Sequence, residues 1–139
     1  MEDAVQLRMV NARFYEAFER GDLEGLDDIW AHDEQVMCVH PGWEAITGWG
    51  AIRQSWERIF AGGVGMKFSL RNVTARVVGP VGIVMLTEEI VLVEQSVSQT
   101  VQAAATNVFT RVDGEWKLIV HHGSPVMAAK EDDADFRYN

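Results

Sequence analysis

The chain has 139 residues, of which 47% are hydrophobic and 24% are charged, and its formal net charge is −9. This length fits one domain with a sizeable core, and the composition is that of a globular protein. The negative charge repels phosphate backbones, so the composition argues against a nucleic-acid partner.

Membrane and secretory roles are not expected either. No apolar run reaches the roughly 18 residues that a membrane span needs, and the chain begins with Met1-Glu2-Asp3 rather than with a basic and apolar signal. The single cysteine, Cys38, excludes an internal disulfide and suits a reducing compartment. We therefore expect a cytoplasmic, single-domain protein over residues 1–139, with a core at about 4–127 and an acidic tail at 128–139.

Three helices are predicted in the first half of the chain. Residues 4–20 place apolar side chains at steps of three and four, which is typical of a helix with one buried stripe. Gly21 suits the end of this helix, and Asp22 suits the N-cap of a second one, which we expect to run to about Ala31. A third helix follows a loop and is expected to stop at Gly62.

The remainder is predicted to be β-structure, because its segments are rich in valine, isoleucine, threonine and aromatic residues. Asp113-Gly114 between two of these segments predicts a type I′ hairpin turn, since both residues tolerate positive φ. Gly79-Pro80 and a polar loop at 94–99 mark the other turns. The predicted strands are 36–40, 66–78, 83–93, 100–112 and 115–122.

Together these elements predict an α+β fold. Three N-terminal helices are expected to pack on the concave face of a strongly curved antiparallel or mixed sheet. A curled sheet that is closed by helices forms a cone, and the open end of a cone is a natural apolar pocket.

Three stretches of the sequence carry a family resemblance. They are FYEAFERGDLEGL at 14–26, GWGAIRQSW at 48–56 and NVFTRVDGEWKL at 107–118. Each resembles the corresponding part of the nuclear transport factor 2-like superfamily. The SnoaL-like branch (polyketide cyclase and ketosteroid isomerase-like) is the most similar, with a His-Pro at 40–41 and a His-His near a Ser-Pro at 121–125. The resemblance covers about residues 4–127 and implies a cystatin-like cone.

The ketosteroid isomerases of this superfamily permit a comparison residue by residue. Their oxyanion-hole tyrosine on the first helix corresponds to Phe14, with Tyr15 one position away on another face of the helix. Their general-base aspartate before a proline corresponds to His40, and their oxyanion aspartic acid corresponds to Asn107, two residues before Phe109. Because all three functional residues differ, the resemblance implies polar positions in the same cavity but not steroid isomerase activity.

His40 and Asn107 are the foremost candidates for catalysis. An imidazole at a strand end titrates near neutral pH and can carry a proton. An amide can donate a hydrogen bond to a carbonyl or to a developing enolate. The alternatives are structural: His40 would hold the turn after its strand, and Asn107 would satisfy buried backbone groups.

The alternation of Trp116, Leu118 and Val120 predicts which side chains of the last strand face the pocket. His122 shares this apolar face, so we expect it to be a second polar contact, while His121 points to the other side. The assignment reverses if the apolar face is an interface. Because the two histidines point apart, we expect no shared metal, and we expect no organic cofactor.

Aromatic side chains are expected to complete the pocket. Trp43 and Trp49 flank the loop after the first strand, where they would form walls for a planar ligand or plug the opening. Tyr15 and Phe109 are expected to line the same cavity.

The pair Glu88-Glu89 lies within a predicted strand, so one carboxylate must face inward. That group would act as an acid or base with a raised pKa, or it would pair with an arginine such as Arg76 or Arg111. The sequence leaves open which glutamate faces the cavity.

These observations favour a pocket protein for a small apolar or aromatic ligand, acting as an acid–base enzyme of the isomerase, dehydratase or cyclase type. The alternative is a non-catalytic ligand-binding or association module whose cavity is filled by Phe14, Phe109 and the tryptophans. A homodimer is expected, because the strand at 83–93 carries apolar residues on both faces and members of the family commonly pair through this surface.

Overall fold

The computed structural model describes residues 2–127 and places three helices on one face of a six-stranded sheet. The expected acidic tail at 128–139 lies outside the described residues. Within the described range, no helix is both long enough and apolar enough to cross a membrane. The elements are α1 (Glu2–Arg20), α2 (Leu23–Ile29), β1 (Met37–Val39), β2 (Ile46–Thr47), α3 (Trp49–Ala61), β3 (Gly65–Val78), β4 (Val81–Glu94), β5 (Val97–Val112) and β6 (Glu115–Pro125).

The junction between α1 and α2 forms as its sequence predicts. Gly21 has a φ of 64°, a left-handed conformation that favours glycine. Asp22 caps α2, because its side chain accepts a hydrogen bond at 3.0 Å from a backbone N–H of the first turn. The helix ends at Ile29, slightly before the predicted limit, since Trp30 leaves the helix to form a bridge with Leu118 of β6.

The sheet is mixed, and its strands lie in the order β2-β1-β6-β5-β4-β3. β1 runs parallel to β6, while all other neighbours run antiparallel. This arrangement confirms the predicted α+β fold with a curved sheet under three helices. The parallel pairing brings residues 37–39 beside residues 120–122, so the end of β1 lies next to the histidines of β6.

Two hairpin turns test the turn predictions. The turn at Asp113-Gly114 is confirmed, with φ values of 53° and 83°. The predicted loop at 94–99 is wrong, because β4 and β5 pair continuously up to a two-residue turn at Gln95-Ser96. Both turn residues have positive φ, of 50° and 70°. Neither is the glycine or asparagine that usually announces such a turn.

Helix α1 packs closely on β4. A Cβ at Gly82 would lie 2.7 Å from Cδ1 of Leu7, so a larger residue at position 82 would force the leucine side chain to move. Alternate side chains of β4 point inward beneath the helix and are buried; they are Val84, Leu86, Glu88 and Ile90. One member of this inner row is therefore a carboxyl group.

Candidate functional site

Six polar or charged side chains are buried beneath the helices, each no more than 3% exposed. We call them the buried polar cluster. A buried polar group is costly unless it is hydrogen-bonded, so such a cluster requires a structural or a chemical reason. The six are Asn11, His40, Ser55, Glu88, Asn107 and His121.

Tyr15 links α1 to the carboxyl group on β4. Its Oη donates a hydrogen bond to Oε2 of Glu88 at 2.5 Å. Asn107 of β5 holds the same hydroxyl from the other side, because its Nδ2 donates to Tyr15 Oη at 3.1 Å and to Oδ1 of Asn11 at 2.9 Å. Asn11 lies one helical turn before Tyr15, so α1 supplies both partners. The result is a chain of hydrogen bonds from α1 to β4 and β5.

His121 of β6 extends this chain. Its Nδ1 lies 2.6 Å from Oδ1 of Asn107, and because an amide oxygen can only accept, Nδ1 carries the proton. Burial, together with His40 and His122, lowers the pKa of His121 to about 3, so the ring is neutral at physiological pH. Its Nε2 is then an acceptor, and within residues 2–127 it has no hydrogen-bond partner.

Strand alternation turns Glu88 inward and Glu89 outward. Glu89 forms an ion pair with Arg71 of β3 at 3.1 Å, whereas Glu88 is 1% exposed. Among the described residues, no lysine or arginine lies in ion-pair range of Glu88, so it does not form the alternative pair with Arg76 or Arg111. Burial raises the pKa of Glu88 to about 7, against the opposing effect of the tyrosine hydrogen bond.

Gly123 of β6 lets the loop after β1 approach this carboxyl group. A Cβ on Gly123 would lie 3.0 Å from Cγ of Pro41 and 3.9 Å from Oε1 of Glu88. Pro41 therefore packs on the strand immediately beside the glutamate. Because the tyrosine occupies Oε2, Oε1 is the oxygen on the loop side of the group.

His40 at the end of β1 is buried and points towards α3. Its Nε2 lies 2.8 Å from Oγ of Ser55, and that hydroxyl donates to the carbonyl of Ile52 at 2.6 Å, so His40 Nε2 carries the proton. Burial lowers the pKa of His40 to about 4. The ring centres of His40 and His121 are 6.3 Å apart, so the His40–Ser55 pair lies next to the rest of the buried polar cluster.

Cys38 lies beside His40 without being activated by it. Its Sγ is 3.8 Å and 3.7 Å from the two ring nitrogens. Because Nε2 carries the ring proton towards Ser55, Nδ1 holds the lone pair, and the thiol is a weak donor to it at the long S···N distance of 3.8 Å. Burial raises the pKa of the thiol, which is therefore inert.

The expected orientation of His122 is wrong, because β6 contains a β-bulge. The pairing with β5 is regular up to Leu118 and resumes at Val120, which leaves Ile119 as an extra residue. The bulge reverses the alternation of the strand. His121 consequently joins the inner row, and His122 is exposed on the outer face of the sheet.

The predicted aromatic contacts lie in three different places. Trp43 packs edge-on against His40, with ring centres 4.8 Å apart, and is 42% exposed. Trp49 stacks on His32 at 5.0 Å and lines a groove of about 550 Å³ at the start of α3. Phe109 is fully buried in the apolar core. Two of the predicted ligand contacts adjoin the buried polar cluster: Trp43 packs on His40, and Tyr15 bonds to Glu88 and Asn107.

Three members of the buried polar cluster were not predicted from the sequence: Asn11, Ser55 and His121. The burial of Asn11 could have been predicted, because this polar side chain lies within the apolar stripe of α1. Ser55 sits beside Trp56 on the buried face of α3 and carries a weaker signal of the same kind. The inward orientation of His121 could not be predicted, because the sequence does not reveal the bulge.

Other surface features are separate from this cluster. A groove of about 360 Å³ between α1, α2 and β6 is lined mainly by charged side chains, including Arg13, Glu16 and Lys117. It contains no member of the buried polar cluster. Within residues 2–127, no three histidine, cysteine, aspartate or glutamate side chains are grouped so as to hold a metal ion.

The three helices, the curved mixed sheet and the polar interior are those of a nuclear transport factor 2-like protein. Residues 7–129 match the family model of the SnoaL-like domain, and the chain therefore belongs to the SnoaL-like family. This match confirms the resemblance carried by the α1–α2 junction, the start of α3 and the last hairpin.

The chain is also similar to solved structures and to one curated protein. A candidate dehydratase of the NTF2-like family from Streptomyces avermitilis is 36% identical, with a TM-score of 0.83, and the match covers 91% of this chain and 98% of that one. A candidate calcium/calmodulin-dependent protein kinase type II association domain from Thiobacillus denitrificans is 25% identical, with a TM-score of 0.73 and coverage of 85% and 93%. The F-box protein SKIP8 of Arabidopsis thaliana is 24% identical over 121 residues, which are 85% of this chain. The chain spans 48% of SKIP8, about half the length of that relative.

Proposed function

We propose that this protein is a cofactor-independent acid–base enzyme for a small, largely apolar ligand, and that Glu88 is its proton carrier. One observation carries the proposal: a carboxyl group that is 1% exposed is held by a tyrosine hydroxyl, without a cation in range among the described residues. Burying a carboxylate in this way is costly. A chain that needed only packing at this position would gain stability from an apolar side chain.

The raised pKa suits Glu88 to this task. A group with a pKa of about 7 populates both its protonated and its ionised form at neutral pH, so it can accept a proton and return it. His40, the carrier expected from the sequence, has a pKa of about 4 and is neutral under the same conditions. We therefore assign proton transfer to Glu88. Asn107, whose amide groups are all hydrogen-bonded within the cluster, positions Tyr15 beside that carboxyl group. His40, which bonds to Ser55, fixes the end of β1.

Dehydration is the reaction class that the similarity to the Streptomyces avermitilis protein favours. For a β-hydroxy ketone, the carboxylate of Glu88 would take a proton from the carbon next to the carbonyl. The electron pair of that C–H bond forms the new C=C bond while the C–O bond to the hydroxyl breaks. Protonated Glu88 returns its proton to the departing oxygen. The products are an unsaturated ketone and water, and the carboxylate is regenerated.

The test uses a panel of β-hydroxy ketones with an aryl group on the hydroxyl-bearing carbon. Their dehydration gives conjugated products that absorb strongly in the ultraviolet. Glu88→Gln keeps the shape of the side chain but cannot take a proton, so kcat/KM should fall about 10³-fold. In the wild type, kcat/KM should rise with pH through about 7, since the ionised form is the base.

Glu89→Gln is the matched control, because that residue lies on the outer face and pairs with Arg71. It should stay within about twofold of the wild type. Absence of turnover of every member of the panel by the wild type, or equal activity of Glu88→Gln and Glu89→Gln, would contradict the proposal.

A second candidate function is an association module, favoured by the similarity to the Thiobacillus denitrificans association domain. The match to one half of SKIP8 also fits a domain that serves within a longer chain. In that case the buried polar cluster would only fix the packing of α1 on the sheet. Glu88→Leu would then raise the free energy of unfolding and leave self-association unchanged, whereas an enzyme would lose its activity.

A further inference from the structure

One buried nitrogen is left without a partner by the hydrogen bonds of the cluster. Nε2 of His121 is unpartnered within residues 2–127, and the residue is 0% exposed. The other unpartnered buried side-chain atoms in that range are three indole N–H groups. An indole presents one donor at the edge of a large apolar ring, whereas an imidazole is a small polar ring with two hydrogen-bonding nitrogens. The free acceptor of the histidine is therefore the more informative of these groups about a ligand.

The hydrogen-bond directions fix what this nitrogen can do. Tyr15 donates to Glu88, so its oxygen accepts from Nδ2 of Asn107. The same Nδ2 donates to Asn11, which turns the amide oxygen of Asn107 towards His121. Because this oxygen can only accept a hydrogen bond, Nδ1 of His121 carries the proton and donates it. Its Nε2 consequently carries a lone pair and needs a donor.

The surroundings of the ring are aromatic. Its centre lies 5.0 Å from the ring of Phe14 and 6.1 Å from the ring of Trp56, whose own Nε1–H is also unpartnered. A lone pair and an N–H group thus lie in one aromatic cluster. An ether or carbonyl oxygen of a ligand could accept a hydrogen bond from the indole but could not donate one to the histidine. An ammonium group could donate to the histidine but could not accept from the indole. A hydroxyl group can donate and accept.

We propose that His121 selects hydroxylated ligands, by accepting a hydrogen bond at Nε2 from an alcohol or phenol hydroxyl of the bound molecule. This inference rests on the proposed function in one respect: both require that the cone binds a small molecule. For a β-hydroxy ketone, the hydroxyl that donates to His121 keeps its lone pairs free for the proton that Glu88 returns. His121 is then a specificity-determining residue and not the proton carrier.

The experiment compares three probes of nearly the same shape: β-naphthol, its methyl ether, and β-methylnaphthalene. Only β-naphthol has a hydroxyl to donate. Affinities are measured by tryptophan fluorescence quenching, since Trp43 and Trp56 lie against His40 in the same cluster. The wild type should bind β-naphthol about tenfold or more tightly than either analogue, because an unmade bond leaves the nitrogen unsatisfied.

His121→Asn is the informative variant. The amide NH₂ of asparagine can replace Nδ1–H as the donor to Asn107, but the side chain has nothing in place of Nε2. Its preference for β-naphthol should fall to about twofold or less, while His122→Asn on the outer face keeps the wild-type preference. Glu88→Gln should also keep the preference, although it loses turnover, which separates this proposal from the proposed function.

Nitrogen NMR of the wild type supplies a second readout that does not depend on a variant folding. The Nε2 resonance of His121 should shift on addition of β-naphthol and not on addition of the two analogues. Equal affinity of the wild type for the three probes, failure of all three to bind, or a preference that survives in His121→Asn would overturn the proposal. An Nε2 resonance that β-naphthol leaves unchanged would do the same.

Discussion

Two kinds of buried titratable group respond to pH in opposite directions. Burial raises the pKa of Glu88 from 4.5 to about 7, so the folded state binds that proton more tightly than the unfolded state does. Burial lowers the pKa of His40 and of His121 from 6.5 to about 4 and about 3, so the unfolded state binds those protons more tightly. The glutamate therefore destabilises the fold as pH rises from 4.5 through 7, and the histidines destabilise it as pH falls below 6.5.

The contribution of Glu88 can be isolated by substitution. Relative to the wild type, Glu88→Gln should gain about 3 kcal/mol in free energy of unfolding between pH 4.5 and pH 7.5, because glutamine has no buried charge to form. Urea unfolding across this range measures the difference, and the histidines cancel because both proteins contain them. Glu89→Gln should differ from the wild type by an amount that changes little with pH. A pH-independent gap for Glu88→Gln would contradict the assignment of the raised pKa.

At the scale of single elements, two bulges shape the sheet. The bulge at Ile119 in β6 brings His121 inside, as described above. A second bulge lies in β3 between Arg71 and Thr74, where Asn72 has a φ of 54°. Asparagine tolerates this left-handed conformation better than other residues with a side chain. A bulge bends the strand that carries it, so β3 bends at the edge of the sheet and β6 bends in its interior.

The bulge in β3 predicts a graded response at Asn72. Asn72→Val should lower the free energy of unfolding by about 1–2 kcal/mol, because a β-branched side chain is strained at positive φ. Asn72→Gly should lie within about 0.5 kcal/mol of the wild type, since glycine adopts this conformation freely. Thr74→Val, just past the bulge in extended backbone, is the control. Equal stability of the valine and glycine variants at position 72 would show that the positive φ is not needed.

The elements were more predictable from the sequence than the site was. Apolar periodicity located all three helices and the four long strands, because burying one face imposes a repeat that survives in a single sequence. β2 was missed, since its two residues, Ile46–Thr47, are too few to show any period. The site depends on contacts that the sequence does not record. Ile119 looks like an ordinary strand residue, yet as the extra residue of a bulge it decides which histidine faces the buried polar cluster.

At the scale of the whole molecule, the outer face of the sheet carries an exposed, partly apolar groove, and among the described residues no helix packs on it. Met85 is 55% exposed and, with Ala104, Thr106 and Val120, lines a groove of about 420 Å³ on that face. An exposed apolar sheet face favours a second cover. A second copy of the chain, packed face to face, is the cover that the expected homodimer provides.

Sedimentation velocity at micromolar concentration tests this expectation. The wild type should sediment as a dimer of the 15.6 kDa chain, and Met85→Glu should sediment as a monomer, because the carboxylate would be buried without a partner in the interface. Met9→Glu is the control: Met9 is 61% exposed but lies on α1, away from the sheet face. A monomeric wild type, or a dimer that persists in Met85→Glu, would rule out pairing through this face.

The parallel pairing of β1 with β6 has a consequence for folding during synthesis. As the chain leaves the ribosome, the helices and β1 emerge before β6. Val39 cannot pair until His122 has been synthesised, and the backbone N–H of Ala31 cannot donate its hydrogen bond until the carbonyl of Leu118 is present. The nascent chain therefore holds apolar surface open until β6 is synthesised, since pairings of such long range form late. A ribosome stalled before Glu115 would leave Trp30 and Cys38, both buried in the complete fold, without their β6 partners and open to the cell's chaperones.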